Sequence, residues 1–91
     1  MATDNNDNAT QLRYGKISSS QDIGRIIKLK RKEVGIKQDV AAGISGVGTK
    51  FLSQLENGKE TAELGKTLQV LRKMGLDVFI YPRSATPRGI Q

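Results

Sequence analysis

Several residue types on which catalytic and metal sites depend are missing from this 91-residue chain. It contains no cysteine, no histidine and no tryptophan. Most zinc sites need cysteine or histidine ligands, a serine or cysteine nucleophile usually needs a histidine base, and a disulfide framework needs cysteines. The composition therefore argues against a metal site, most hydrolases and a disulfide-stapled fold. We expect no cofactor and no catalytic residues.

Long apolar runs are absent as well. The longest are only a few residues, such as 78–81, whereas a membrane-spanning helix needs about 20. Residues 1–8 have neither the basic start nor the apolar stretch of a signal peptide. We therefore expect a cytoplasmic protein that does not enter the membrane.

Positive charge is what the chain has in excess. Fifteen Lys and Arg residues against nine Asp and Glu residues give a formal net charge of +6 at pH 7. A basic surface attracts the phosphates of nucleic acids. The chain has only two tyrosines and two phenylalanines, so it lacks the aromatic platforms that stack single-stranded bases, and RNA is the weaker alternative to double-stranded DNA.

The residue pattern divides the chain into four parts. Residues 1–19, rich in Asn, Asp, Ser and Thr, are expected to form a flexible N-terminal arm. Residues 20–75 carry four helical signals and form the expected domain. Residues 76–82 are typical of a β-strand, and residues 83–91, which show no periodicity, are expected to form a flexible tail.

Capping and breaking residues predict the bounds of the first two helices. Ser19, with Asp22 three residues later, predicts the start of the first helix, and Gly35 predicts its end. The second helix is expected to begin at Gln38 and to end where the glycines start at Gly43.

The third and fourth helices are predicted in the same way. The third is expected to begin near Gly48 or Thr49 and to end at Gly58. Thr61 is the expected cap of the fourth, and Gly75 is its expected end. Apolar residues at helical spacing predict the buried positions of the first, third and fourth helices: Ile23, Ile26, Ile27 and Val34; Phe51, Leu52 and Leu55; Leu64, Leu68, Leu71 and Met74.

One β-strand signal follows the helices. Its residues are β-branched or aromatic and are closed by Pro82. A lone strand leaves its backbone donors and acceptors unpaired, so we expect it to pair with a second copy of the chain in a homodimer. The alternative is an extended tail packed on the fourth helix. The residues predicted to dimerise are Leu76, Val78, Phe79, Ile80 and Tyr81.

The second and third helices fit the helix-turn-helix geometry. In this arrangement two short helices are joined by a tight turn, and the second helix enters the major groove of DNA. Counting from Gln38, the fifth residue is Ala42, which is small where the helices cross. The ninth is Gly46, which suits the positive φ of the turn. Val47 and Leu52 then contribute to the core between the helices.

These residues resemble the Xre and phage-repressor family of helix-turn-helix proteins. The resemblance rests on the pattern Gln-x-x-Ala-Ala-x-x-x-Gly at 38–46 and on Leu-Glu-Asn-Gly-Lys at 55–59, and extends over more than half of the chain. It implies a mostly α fold, a domain of four to five helices carrying one C-terminal strand that pairs across the homodimer.

A narrower resemblance is to HipB-type antitoxins. It rests on residues 46–52, 55–59 and 68–71, followed by a glycine and an apolar strand. It implies a homodimeric, nucleoid-associated repressor that binds palindromic operator DNA in its own promoter and captures a HipA-like Ser/Thr kinase toxin. The alternative is a stand-alone Xre-family transcriptional regulator with no toxin partner.

Residue roles follow from the direction of the side chains. With one side of the third helix buried, its remaining positions face outward and become the candidates for reading bases. Helix N-termini and flanking lysines are the candidates for holding phosphates. The predicted base-reading residues are Thr49, Lys50, Ser53 and Gln54, and the predicted phosphate-binding residues are Lys37, Gln38, Gly48 and Lys59.

The first helix carries a basic run from Lys28 to Lys32. Three interpretations are open for it: a solvated helix face, phosphate contact, or a surface for a partner. For Arg31 the family resemblance implies a further role, a structural ion pair with Glu56.

Overall fold

The computed structural model of the protein describes residues 14–85. These residues form four α-helices: α1 (Ser20–Val34), α2 (Gln38–Ser45), α3 (Thr49–Glu56) and α4 (Leu64–Lys73). A single 3-10 turn follows at Arg83–Ala85. The predicted mostly helical fold is confirmed for this part of the chain. Between residues 14 and 85, no helix has the length and apolarity needed to cross a membrane.

The chain divides into two units. One unit, Ser19–Val78, contains all four helices. The described part of the other consists of residues 14–18, which have no regular secondary structure, and residues 79–85, which include the 3-10 turn. Residues 1–13 and 86–91, which make up most of the predicted arm and tail, lie outside the described residues. The 3-10 turn occupies the start of the predicted tail.

Helix α1 begins as predicted but buries fewer residues than predicted. The Ser19 side chain caps it by accepting a hydrogen bond from the backbone N–H of Asp22 at 3.2 Å. Ile26 and Ile27 are buried, whereas Val34 is exposed. The prediction that Val34 lies in the core is therefore wrong, because the buried apolar residues of α1 all lie in the first half of the helix.

Helix α2 ends later than predicted. It continues through Gly43, which has open space around it, to Ser45. The stop comes at Gly46, whose φ of 72° is left-handed. The N–H of Gly46 donates to the carbonyl of Gly43 at 3.2 Å, and that of Val47 donates to Ala42 at 3.0 Å. These two bonds form a Schellman motif, so the glycine that ends the helix is the one that supplies the positive φ.

Helix α4 is capped by a different residue from the one predicted. The carboxylate of Glu63 accepts hydrogen bonds from the backbone N–H groups of Gly65 at 2.8 Å and Lys66 at 2.9 Å. Thr61 lies in the preceding turn and does not cap the helix. A carboxylate satisfies two N–H groups and also places negative charge at the positive end of the helix dipole.

The core is aliphatic. The face of α4 that packs against it differs from the one predicted from the spacing of the leucines. Thr67 and Val70 are buried, whereas Leu64 is 67% exposed and Leu68 is 42% exposed. The predicted core positions of these two leucines are therefore wrong, because the apolar stripe of α4 is wider than the core that it covers. The buried cluster consists of Ile27, Ala41, Ala42, Leu52, Leu55, Val70, Leu71 and Met74.

No β-strand forms among residues 14–85 of the single chain. The N–H of Leu76 donates to the carbonyl of Leu71 at 2.9 Å, and the Leu76 side chain packs against the core. Beyond it, residues 78–81 are exposed, with Ile80 at 92%. The strand was predicted to form by pairing with a second copy of the chain. A single chain does not test that pairing, so the strand stays a prediction.

Candidate nucleic-acid interface

The turn between α2 and α3 is fixed from outside by α4. The side-chain amide of Gln69 donates to the carbonyl of Ser45 at 2.6 Å. A Cβ at Gly46 would come within 2.9 Å of the same amide nitrogen, so a side chain there would displace the Gln69 amide from the turn. Small residues continue into α2, where Ala42 is almost fully buried. The two helices are therefore held in one relative arrangement.

Helix α3 presents the predicted base-reading residues on its accessible side. Leu52 and Leu55 are buried on the opposite side. Thr49 and Lys50 are exposed, and Ser53 and Gln54 are half-buried. The structure thus brings the four predicted residues together on one short helix, with none of them in the core.

The predicted phosphate-binding residues differ in how free their side chains are. Lys37 and Gly48 are the N-caps of α2 and α3, and neither makes a side-chain cap hydrogen bond. In the first turn of α2 the Asp39 carboxylate accepts from the backbone N–H of Val40 at 2.8 Å, so this helix start is already partly satisfied. The amide of Gln38 donates to the Oε1 of Glu56 at 3.0 Å. Only the backbone of Gln38 is therefore suited to a phosphate. Lys59 is exposed, and its ammonium donates to Gln54 at 3.2 Å.

A bidentate ion pair joins α1 to the end of α3. The Nε and Nη2 of Arg31 donate to the two carboxylate oxygens of Glu56 at 2.6 and 3.0 Å. The side chains are 12% and 2% exposed. Hydrogen bonding to Glu56 raises the pKa of the Arg31 guanidinium, against the lowering effect of burial. Its Nη1 donates to the carbonyl of Ile36 at 3.0 Å, which also fixes the connection to α2.

Two further residues of α1 hold the end of α3. Gly24 lies so close that a Cβ there would be 2.3 Å from the carbonyl oxygen of Leu55. The Ser20 hydroxyl donates to the carbonyl of Gly58 at 2.9 Å. Together with the ion pair, these contacts fix where the C-terminal end of α3 lies.

These contacts around α3 were not among the features predicted from the sequence. A glycine inside a helix costs about 1 kcal/mol relative to alanine, and Gly24 therefore signals a close approach that could have been noticed. Ser20 and Gln69 give no comparable signal. Lys66 was also missed; its ammonium lies 5.7 Å from the centre of the Phe51 ring on α3, in cation–π range.

The basic residues of the run on α1 do not form one continuous exposed surface. Arg31 is committed to the ion pair, and Lys30 is half-buried. Lys28 and Lys32 are exposed.

Within residues 14–85, no group of three or more acidic side chains is arranged to hold a metal ion.

The fold and the exposed face of α3 define a helix-turn-helix domain, and comparison with known proteins gives its family. An uncharacterized HTH-type transcriptional regulator of Sinorhizobium fredii, y4mF, is 45% identical over 65 residues, which cover 71% of this chain and 86% of the relative. The chain belongs to the family of HTH-type transcriptional regulators. No family model matches it.

Solved structures of HipB share the fold. HipB in a complex with an O4 20mer superimposes with a TM-score of 0.69, at 23% identity, over 77% of this chain and 99% of HipB. A HipA–HipB–O2–O3 complex gives the same TM-score, identity and coverage. The predicted resemblance to HipB is confirmed at the level of the helix-turn-helix fold.

The buried ion pair generates a prediction about stability. Replacing Arg31 with Met keeps an unbranched side chain but leaves the buried Glu56 carboxylate without its charged partner. We expect the free energy of unfolding to fall by about 3 kcal/mol. Urea denaturation followed by far-UV circular dichroism, at one fixed protein concentration, measures the change.

Arg25 provides the matched control for this substitution. It pairs with Asp22 at 3.1 Å on the same helix, but the two side chains are 51% and 29% exposed. Arg25→Met should cost less than about 1 kcal/mol, because water screens an exposed pair. Equal losses in the two variants would show that the Arg31 pair has no special structural role.

Proposed function

We propose that the protein is a sequence-specific DNA-binding repressor that regulates its own operon and acts as the antitoxin of a HipA-like Ser/Thr kinase. The observation that carries the DNA-binding part is the accessible side of α3. It presents polar side chains of the right length on a helix that α1 holds through the Arg31–Glu56 pair and that follows the end of α2, where Gln69 of α4 donates to Ser45.

Each residue of this face has a chemical role in reading bases. Lys50 donates to guanine, the amide of Gln54 pairs with adenine in a bidentate manner, and Thr49 offers a hydroxyl or meets the methyl group of thymine. The Ser53 hydroxyl can donate a hydrogen bond to a base or accept one from it. Lys37 precedes the helix-turn-helix in the sequence and Lys59 follows it. Both contribute affinity by binding phosphates, with little sequence preference.

Removal of two of these side chains tests the recognition face. We expect Lys50→Ala combined with Gln54→Ala to abolish the preference for a selected operator over a scrambled duplex, because each good base contact discriminates by about 1 to 3 kcal/mol. Fluorescence anisotropy with labelled duplexes measures both affinities, and circular dichroism checks the fold.

A charge-matched control separates base reading from general attraction to DNA. Arg72→Ala removes one positive charge from the exposed last turn of α4. It should leave the operator preference unchanged. If the double variant also keeps its preference, the bases are read by another part of the chain.

The exposed residues 78–81 support the proposed homodimer. Val78, Phe79, Ile80 and Tyr81 are consecutive and all exposed, which is an unusual concentration of apolar surface. The rings of Phe79 and Tyr81 stack with centroids 6.2 Å apart and an interplanar angle of 25°. In a β-strand, residues two positions apart lie on the same side, as the Phe79 and Tyr81 rings do here. Leu76, in contrast, packs on the core of its own chain and anchors the start of the proposed strand.

A dimer of this kind determines the form of the operator. Two copies of α3 related by a twofold axis read two half-sites of opposite orientation, so the operator is palindromic. Both half-sites contribute phosphate contacts, so the dimer binds much more tightly than one chain.

Truncation tests the proposed dimerisation strand. A chain ending at Asp77 keeps Leu76 in the core but lacks residues 78–81. We expect it to be monomeric by analytical ultracentrifugation and to bind the operator much more weakly. A chain ending at Pro82 is the matched control and should remain dimeric. If the shorter chain also remains dimeric, the interface lies elsewhere.

The antitoxin part of the proposal is supported by the likeness to HipB. The HipB chain with the shared fold occurs in a complex with HipA. The alternative is a stand-alone Xre-family regulator with no toxin partner, which uses the same face of α3. The description of the relative as a transcriptional regulator suits both alternatives. In either case the expected location is the cytoplasm, at the nucleoid.

Recovery of a partner separates the two alternatives. The tagged full-length protein, purified from its native host after nuclease treatment, should bring down a protein with kinase motifs in a stoichiometric amount. Nuclease removes proteins that are attached only through DNA. Recovery of this chain alone would exclude the antitoxin role and leave the stand-alone regulator.

A further inference from the structure

We propose that Lys59 is a positioning residue that fixes the orientation of the Gln54 amide and thereby contributes to base specificity. This inference rests on the proposed function of α3 in reading DNA. It assigns to Lys59 a role beyond phosphate contact. The observation behind it is the hydrogen bond from the Lys59 Nζ to the Gln54 Oε1, 3.2 Å long.

The backbone at the end of α3 brings these two side chains together. The N–H of Lys59 donates to the carbonyl of Gln54 at 3.1 Å, and that of Gly58 donates to Leu55 at 3.0 Å. This is a Schellman motif, in which the last residue commonly makes an apolar contact with the residue five positions before it. Here a lysine and a glutamine occupy the two positions, and the contact is polar.

The loop that carries Lys59 is held rigidly. Gly58 has a φ of 83° and is buried, and a Cβ there would lie 2.8 Å from the Cγ of Gln21 on α1. The carbonyl of Gly58 accepts the hydroxyl of Ser20 at 2.9 Å. The backbone of Lys59 therefore keeps its place relative to α3.

The chemistry of the ammonium determines which end of the amide it meets. Lysine has three donors and no acceptor, so the Gln54 atom beside it is the oxygen, and the amide nitrogen is directed elsewhere. The oxygen retains a second lone pair. It can therefore accept a hydrogen bond from the N6 amino group of adenine while it stays bonded to Lys59, with the amide nitrogen donating to N7. Because the hydrogen bond to Lys59 already restricts the Gln54 side chain, Gln54 loses less rotamer entropy when it binds DNA.

The experiment separates positioning from simple attraction to phosphate. A preferred duplex is selected from a random library with the full-length protein, and affinities are then measured on a panel of single base-pair changes. The variants are Gln54→Ala, Lys59→Met, both together, and Lys59→Arg, which restores a donor. Lys66→Met is the matched control, because Lys66 lines the same surface depression as Lys59 and Gln54 without a hydrogen bond to Gln54.

We expect Gln54→Ala to lose about tenfold or more of its discrimination at one base pair. Lys59→Met should lose most of the discrimination at that same base pair, the double variant no more than Gln54→Ala, and Lys59→Arg should recover much of it. Lys66→Met should change affinity equally for all duplexes. Circular dichroism of every variant verifies that α3 remains folded.

Two results would overturn the inference while leaving sequence-specific DNA binding by the protein intact. One is a Lys59→Met variant that binds all duplexes more weakly by the same factor, which is the behaviour of a phosphate contact. The other is a Gln54→Ala variant that keeps full discrimination at every base pair. A wild-type protein that selects no preferred duplex would instead overturn the proposed function and this inference together.

Discussion

The ion pair between Arg31 and Glu56 is the interaction on which the DNA-binding part of the molecule depends. One guanidinium contacts the end of α3 through Glu56 and the connection to α2 through Ile36. Gln38 attaches the first residue of α2 to the same carboxylate. Because Glu56 is almost completely removed from water, its charge requires a partner at short range. This pair of charges therefore contacts α1, α3 and the connection to α2, and it adds to the packing that holds the three helices together.

Features that depend on a few neighbouring residues could be predicted from the sequence. Ser19 caps α1 and Gly46 adopts the positive φ of the turn, because a side-chain acceptor and a positive φ are local properties. The accessible side of α3 also followed from local spacing, since burying Leu52 and Leu55 directs Lys50 outward. The Arg31 pair was expected from family resemblance alone, because nothing local relates two residues 25 positions apart.

Features that depend on tertiary contact could not be predicted. The α4 pattern has apolar residues on two adjacent sides, and only packing shows that Val70 lies inside while Leu68 lies outside. Thr61 and Glu63 are both able to cap a helix, and the path of the preceding loop selects Glu63. The partner of Gln38 is likewise set by where α3 ends, so its side chain could not be distinguished from a free one.

The placement of the tyrosines has a spectroscopic consequence. The chain has no tryptophan, and its two tyrosines, Tyr14 and Tyr81, both lie outside the Ser19–Val78 unit. The aliphatic core contributes no fluorophore. Tyrosine emission therefore comes from residues outside the helical unit, while far-UV circular dichroism reports mainly on the four helices. Changes around the two tyrosines and loss of the helices thus give two different signals in one unlabelled sample.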